Sequence, residues 1–207
     1  MSKSSSRWLK EHFNDPYVKK SWQDGYRSRA AYKLIELQNK YRFIKPNMRV
    51  VDLGAAPGSW SQVAVQHIGK RGQLIALDLL EIDPIPNVIF LQGDFTETAA
   101  YDQLLETLGA EPANLILSDM APNMSGHKTA DQINALHLAE LAYDFAKKTL
   151  APGGHFVSKI FQGPGLDILI KQAKMEFTKV HLCKPDASRD RSPEHFLVCL
   201  DLKKGAA

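Results

Sequence analysis

Cysteine is nearly missing from this chain. Two occur in 207 residues, Cys183 and Cys199, and they form no C-x-x-C pair and no metal-ligand spacing. A disulfide framework is excluded, and both thiols, set in apolar runs, are expected to be buried in a reducing compartment. The seven histidines show no paired spacing, so no metal site is expected. No apolar run approaches the roughly 20 residues that a membrane-spanning helix requires. The N-terminus lacks the apolar core of a signal peptide, so the expected location is the cytoplasm. Internal repeats are absent, and low complexity is confined to Ser4-Ser5-Ser6. What is present is ordinary for a globular protein: 44% apolar and 24% charged residues, in a length that suits one domain over 1–207.

One glycine loop organises the rest. Val50-Val51-Asp52-Leu53 is a β-branched, apolar run ending near an acid, followed by Gly54-Ala55-Ala56-Pro57-Gly58-Ser59-Trp60. It reads as a buried strand, a tight turn and a helix over Ser61 to Ile68 with Ser59 at its start. Gly54 and Gly58 lack a Cβ and let backbone approach a ligand. The loop holds no Lys or Arg, which disfavours a P-loop, and its spacing is not G-x-G-x-x-G, which disfavours a dinucleotide. Further acids close later candidate strands at Asp78, Asp94 and Asp119. A ring of carboxylates repels pyrophosphate and suits a cation. S-adenosylmethionine (SAM) fits, with its sulfonium, ammonium and ribose diol and a single carboxylate.

The charge is uneven. Residues 1–40 hold nine basic side chains (Lys3, Arg7, Lys10, Lys19, Lys20, Arg27, Arg29, Lys33, Lys40) against four acids, about +5, which leaves about −2 of the total +3 for the remainder. Trp8, Phe13, Tyr17, Trp22, Tyr26 and Tyr32 interleave with these cations. Cations for phosphate and rings for bases suggest an RNA-contacting N-terminal segment over 1–40.

The remaining pattern alternates strand and helix. Helices are expected at Ser28–Lys40 with Ser28 as N-cap, from a cap at Thr96 through Leu108, at Asp131–Leu150 with Ile133, Leu136, Leu141 and Phe145 inward, and at Leu166–Phe177. Strands are expected at Gln73–Leu77, Val88–Leu91, Asn114–Leu117, His155–Lys159, Lys179–Cys183 and His195–Leu202, with Ala151-Pro152-Gly153-Gly154 as a break. This order predicts an α/β fold of Rossmann-like type: seven strands, mostly parallel with one antiparallel, and helices on both faces. Ligands of such sheets bind beyond the carboxyl ends of the strands, where Asp78, Asp94, Asp119 and Lys159 fall.

Six motifs together resemble one family. They are Ser28-Arg29-Ala30-Ala31-Tyr32-Lys33-Leu34, Asp52 through Ser61, Gln92-Gly93-Asp94-Phe95, Ser118-Asp119-Met120-Ala121-Pro122-Asn123-Met124-Ser125-Gly126, Lys159-Ile160-Phe161-Gln162-Gly163, and Ser188 through Glu194. In this order and spacing the chain resembles the FtsJ/RrmJ-type ribosomal RNA 2'-O-ribose methyltransferases from Ser6 to Leu202. The resemblance implies a catalytic tetrad at Lys33, Asp119, Lys159 and Glu194. It implies SAM bound at Gly54, Gly58, Trp60, Asp78, Asp94 and Asp119. It further implies methylation of a uridine ribose in the A-loop of 23S rRNA, on the large ribosomal subunit; the chain itself is expected to be a monomer. Two departures are Ser59, where the family often has glycine, and Phe196, where a tyrosine is expected.

A ribose 2'-hydroxyl is a poor nucleophile and needs a base and an aligned methyl donor. Lys159 is the candidate base, with Lys33 and burial favouring its neutral form and Asp119 and Glu194 favouring the ammonium. Methylation at carbon five of a pyrimidine would need a loop cysteine, which is lacking. Amine methylation usually shows an aromatic beside Pro-Pro, where this chain has Met120-Ala121-Pro122-Asn123. The alternatives are a tRNA ribose methyltransferase on the same scaffold and a non-catalytic ribosome-assembly factor.

Overall fold

A computed structural model describes residues 13–205. Lys3, Ser4-Ser5-Ser6, Arg7, Trp8 and Lys10 of the basic leader therefore lie outside the described residues. The elements are α1 (Pro16–Gln23), α2 (Ala30–Tyr41), β1 (Arg49–Leu53), α3 (Ser59–Ile68), β2 (Gln73–Asp78), β3 (Val88–Gln92), α4 (Thr98–Leu108), β4 (Ala113–Ser118), α5 (Lys128–Thr149), β5 (Leu150–Phe161), α6 (Leu166–Glu176), β6 (Phe177–Cys183) and β7 (Glu194–Leu202).

The seven strands form one sheet in the order β3-β2-β1-β4-β5-β7-β6. β3, β2, β1, β4 and β5 pair in parallel, and β7 runs antiparallel to both β5 and β6. The chain reverses beside β1, since β2 and β4 flank it, and this is where open sheets form their ligand crevice. Side chains alternate across the sheet. Val51 and Leu53 of β1 join one apolar core with Leu104, Phe145 and Leu169, whereas Val50 joins the other with Leu34, Leu37 and Val63. Thus α2 and α3 cover one face, and α4, α5 and α6 the other.

Helix starts depart from the sequence reading. α2 begins after Arg29, not Ser28, although the Ser28 hydroxyl still accepts from the Ala30 amide at 3.2 Å. The positive-φ N-cap of α3 is Gly58, and Ser59 is already helical, with its hydroxyl 2.7 Å from that of Ser28. Thr96 does not cap α4, because its amide and hydroxyl both donate to Asp94 Oδ1 in a local turn. α5 starts earlier than expected, and its inward face is Ala135, Ala139, Ala142, Tyr143, Phe145 and Ala146, while Ile133 is exposed. Of the expected stripe, Phe145 is buried and Leu136 and Leu141 pack partly buried against the same core, while small residues bring the helix close to the sheet. The Pro-Gly-Gly break falls inside β5, where pairing with β4 shifts register and Gly153 takes a φ of 82°. Cys199 is buried as expected, but Cys183, on the edge strand β6, is only partly so.

Candidate active site between two cavities

Asp52 lies inside β1, fully buried, and does not reach the ligand side of the glycine loop. The Ser61 hydroxyl donates to its Oδ2 at 2.6 Å, and its Oδ1 has no hydrogen-bond partner among the described residues. Burial pushes this carboxyl up to about 7, against the Ser61 hydrogen bond and with help from the charges of Asp119 and Asp78. The expected ring of four acids is therefore three acids around a cavity and one beneath it.

That cavity lies beyond the ends of β1, β2, β3 and β4. It is lined by Asp78, Asp94 and Asp119, the backbone at Gly54 and Gly93, and apolar groups including Leu79, Phe95 and Met120. Among the described residues, no lysine or arginine lines it. Asp78 is fixed by the amides of Ala56 and Leu80, each donating at 2.8 Å, and Asp94 by Thr96. Gly54, at φ 74°, passes so close to the end of β4 that a Cβ would stand 2.8 Å from the Met120 amide nitrogen. Three carboxylates among apolar walls match a cationic ligand with a diol and a flat ring, the chemistry of SAM.

The side chain of Trp60 and the face of Gly58 each meet neighbours of their own beside the glycine loop. Trp60 is buried, donates its indole N–H to the Ala30 carbonyl at 3.0 Å, and packs on Phe196. Gly58 faces Arg27, whose guanidinium donates to the Pro57 and Pro84 carbonyls at 3.0 and 3.1 Å and ties the glycine loop to the loop after β2. Neither Trp60 nor Gly58 lines the acidic cavity. Arg27 is a positioning group that only its membership of a basic segment signalled.

The four tetrad positions do converge. Lys159, near the end of β5, ion-pairs with Asp119 Oδ1 at 3.1 Å and donates to the Asp119 carbonyl. Lys33, on the first turn of α2, ion-pairs with Glu194 Oε1 at 2.6 Å. Burial pushes the Glu194 carboxyl up, but the charge and hydrogen bond of Lys33 and the charge of Lys159 hold it below the ordinary glutamate value. The Phe196 ring lies 5.7 Å from the Lys33 ammonium, so this departure from the family pattern does touch the tetrad.

A second cavity, of about 510 Å³, opens on the other side of the tetrad, lined by Ser28, Arg29, Lys33, Arg189, Arg191 and Glu194 among others. Arg29 donates to Asp15 and to the Ala187 carbonyl, and Arg189 reaches Asp15 at 3.4 Å. Asp15, the N-cap of α1, thereby holds the wall of this basic cavity together. A further carboxylate organises the loop after β4. Asp131, buried on α5, accepts from the amide and hydroxyl of Ser125 at 2.8 and 2.7 Å and from the Gly126 amide at 3.1 Å.

Comparisons with known proteins agree with this geometry. Ribosomal RNA large subunit methyltransferase E of Pseudomonas paraeruginosa is 59% identical over 95% of this chain and 95% of its own length. The protein of that name from Pseudomonas fluorescens is 56% identical over 95% and 94%. A solved structure described as a ribosomal RNA methyltransferase from Plasmodium falciparum superposes with a TM-score of 0.75 at 36% identity, covering 86% of this chain and 98% of that one. The family model for FtsJ-like methyltransferases matches residues 26–202, the span that carries both cavities and the tetrad, and the chain belongs to that family.

Proposed function

We propose that this protein methylates the ribose 2'-hydroxyl of a uridine in the A-loop of 23S rRNA, on the large ribosomal subunit, with SAM as methyl donor. One observation carries the reading: the ion pairs Lys159–Asp119 and Lys33–Glu194 stand between an acid-lined cavity and a base-lined one. A cationic donor suits the first, and a polyanionic acceptor the second. The names of the similar proteins support the large-subunit substrate.

SAM would supply a methyl group activated by its sulfonium, and Asp78, Asp94 and Asp119 are the residues that would hold it. Asp78, its carboxylate pre-oriented by two amides, would accept from the ribose diol. Lys159 Nζ takes the 2'-hydroxyl proton as the ribose oxygen attacks, and Asp119, 3.1 Å away, stabilises the ammonium that results. Lys33, fixed by Glu194, supplies positive charge to the attacking oxygen from the RNA side. Arg29, Arg189 and Arg191 border the same cavity and contact the flanking phosphates. The described part of the basic segment, residues 13–40, extends this surface, with Lys19, Lys20 and Trp22 exposed on α1. No helix among the described residues is long and apolar enough to cross a membrane. We place the reaction in the cytoplasm and assign it to a monomer, since a single chain builds both cavities.

The test is methyl transfer from labelled SAM to unmodified large subunits, free 23S rRNA and tRNA in parallel, followed by alkaline hydrolysis. A 2'-O-methyl group blocks cleavage at its own linkage. Label in an alkali-stable dinucleotide from large-subunit RNA is expected. Label in tRNA, or in an alkali-labile mononucleotide, overturns the reading.

A further inference from the structure

We propose a second rRNA contact away from the tetrad: a cationic cavity between the C-terminal ends of α2 and α3 that receives the phosphate backbone of an RNA helix. The cavity, of about 660 Å³, is lined by Gln38, Asn39, Arg42, Ile44, Lys45 and His67. Both helices start at the active site, α2 with Lys33 and α3 at the glycine loop, and run away from it. At 1.5 Å per helical residue, Arg42 lies about 13 Å beyond Lys33 along α2.

The charge here is one-signed. From Leu37 to Leu77 the chain carries six cations (Lys40, Arg42, Lys45, Arg49, Lys70, Arg71) and one carboxylate, the buried Asp52. Arg49 is paired with Glu111. Arg42, Lys45, Lys70 and Arg71 are exposed, and none makes an ion pair with a described residue. Cations at helix C-termini can serve the helix dipole. Here, however, backbone amides cap those ends, Arg42 N–H to the Gln38 carbonyl at 2.8 Å and Gly69 N–H to that of Val65 at 3.2 Å. Arg42 and Lys45 line the cavity and Lys70 and Arg71 follow the end of α3, and such unneutralised like charges raise the energy of the folded chain unless a polyanion answers them. The inference rests on the ribosomal RNA reading above. It adds that the enzyme is gripped on two sides by its particle.

The experiment compares wild type, Arg42→Gln/Lys45→Gln, Lys70→Gln/Arg71→Gln, and a control pair, Lys171→Gln/Lys174→Gln on the distant α6. Binding to unmodified large subunits is measured across a salt series, and methyl transfer as kcat and KM. The Arg42/Lys45 pair on the cavity wall and the Lys70/Arg71 pair just beyond the end of α3 should each lower the slope of log affinity against log salt by roughly 1–2 units, about one for every phosphate that is no longer neutralised. Each should also raise KM for the particle several-fold while leaving kcat unchanged. An unchanged slope and KM in both these pairs, or an equal change in the control, overturns the proposal while wild-type transfer to rRNA leaves the function reading standing. Wild type that labels no ribosomal RNA removes both.

Discussion

Lys33 and Glu194 meet at 2.6 Å with side chains only 13% and 11% exposed, so the pair is held almost out of solvent. Because Glu194 titrates below its ordinary value, its contribution to stability is present above about pH 4.5 and is lost as pH falls through the lower folded value. Glu194→Gln should flatten the melting temperature against pH on the acid side. At neutral pH it should destabilise the fold by about 3 kcal/mol, since it leaves a buried ammonium unpaired. A Gln variant with wild-type acid sensitivity would show that another carboxylate dominates there.

Lys159 is assigned the proton. Lys159→Ala should leave SAM affinity near normal and cut single-turnover methyl transfer by at least ~10²-fold, the usual worth of a positioned base. Lys159→Arg should be nearly as slow, because guanidinium keeps its proton at working pH. An active Arg variant would leave Lys159 an electrostatic role only.

Asp78 is oriented before any ligand arrives, by two backbone amides. Calorimetry on Asp78→Ala should show SAM binding weakened by about 1–3 kcal/mol, the cost of leaving buried hydroxyls unpaired. Transfer at saturating SAM should be far less affected. Unchanged affinity would remove Asp78 from the cofactor site.

Asp52 gives the opposite pH signature to Glu194. Its folded value is raised to about 7, so the unfolded chain ionises first and stability falls as pH rises from about 4 towards 7, then levels off. At 1.36 kcal/mol per unit the loss is on the order of 4 kcal/mol. Asp52→Asn keeps an acceptor for the Ser61 hydroxyl and cannot ionise, so denaturant midpoints of the variant should not fall over that range. A parallel decline in both proteins would place the titration elsewhere.

The strands were legible because buried parallel strands are continuous β-branched runs, as in Val50-Val51 and Leu115-Ile116-Leu117. Asp119 and Lys159 could be placed at strand ends from the pattern, but Lys33 and Glu194 were legible only through motif resemblance, because nothing in their local pattern tells a solvated side chain from one that finds its partner across the fold. α1 escapes a reading of the sequence although Asp15-Pro16 is a sound helix start, because the basic and aromatic composition of the segment masks it. Its Val18 and Ser21 are buried and its Asp15 grips Arg29, so the leader is partly structural as well as exposed charge. The cations at the far ends of α2 and α3 are hidden when charge is counted in two blocks. The acids after Leu77 cancel them in the sum, while the fold keeps them apart.

The grip of Asp131 on Ser125 and Gly126 has a kinetic side. Both residues are exposed, in a loop whose side chains carry little packing. Their amide protons are nevertheless bonded to a buried carboxylate rooted in the longest helix. In deuterated solvent these two amides should therefore exchange on the time course of α5, slowly, while the neighbouring amide of Met124 exchanges at once. The segment between Asp119 and α5 is a staple fixed at both ends, by Lys159 at one and Asp131 at the other.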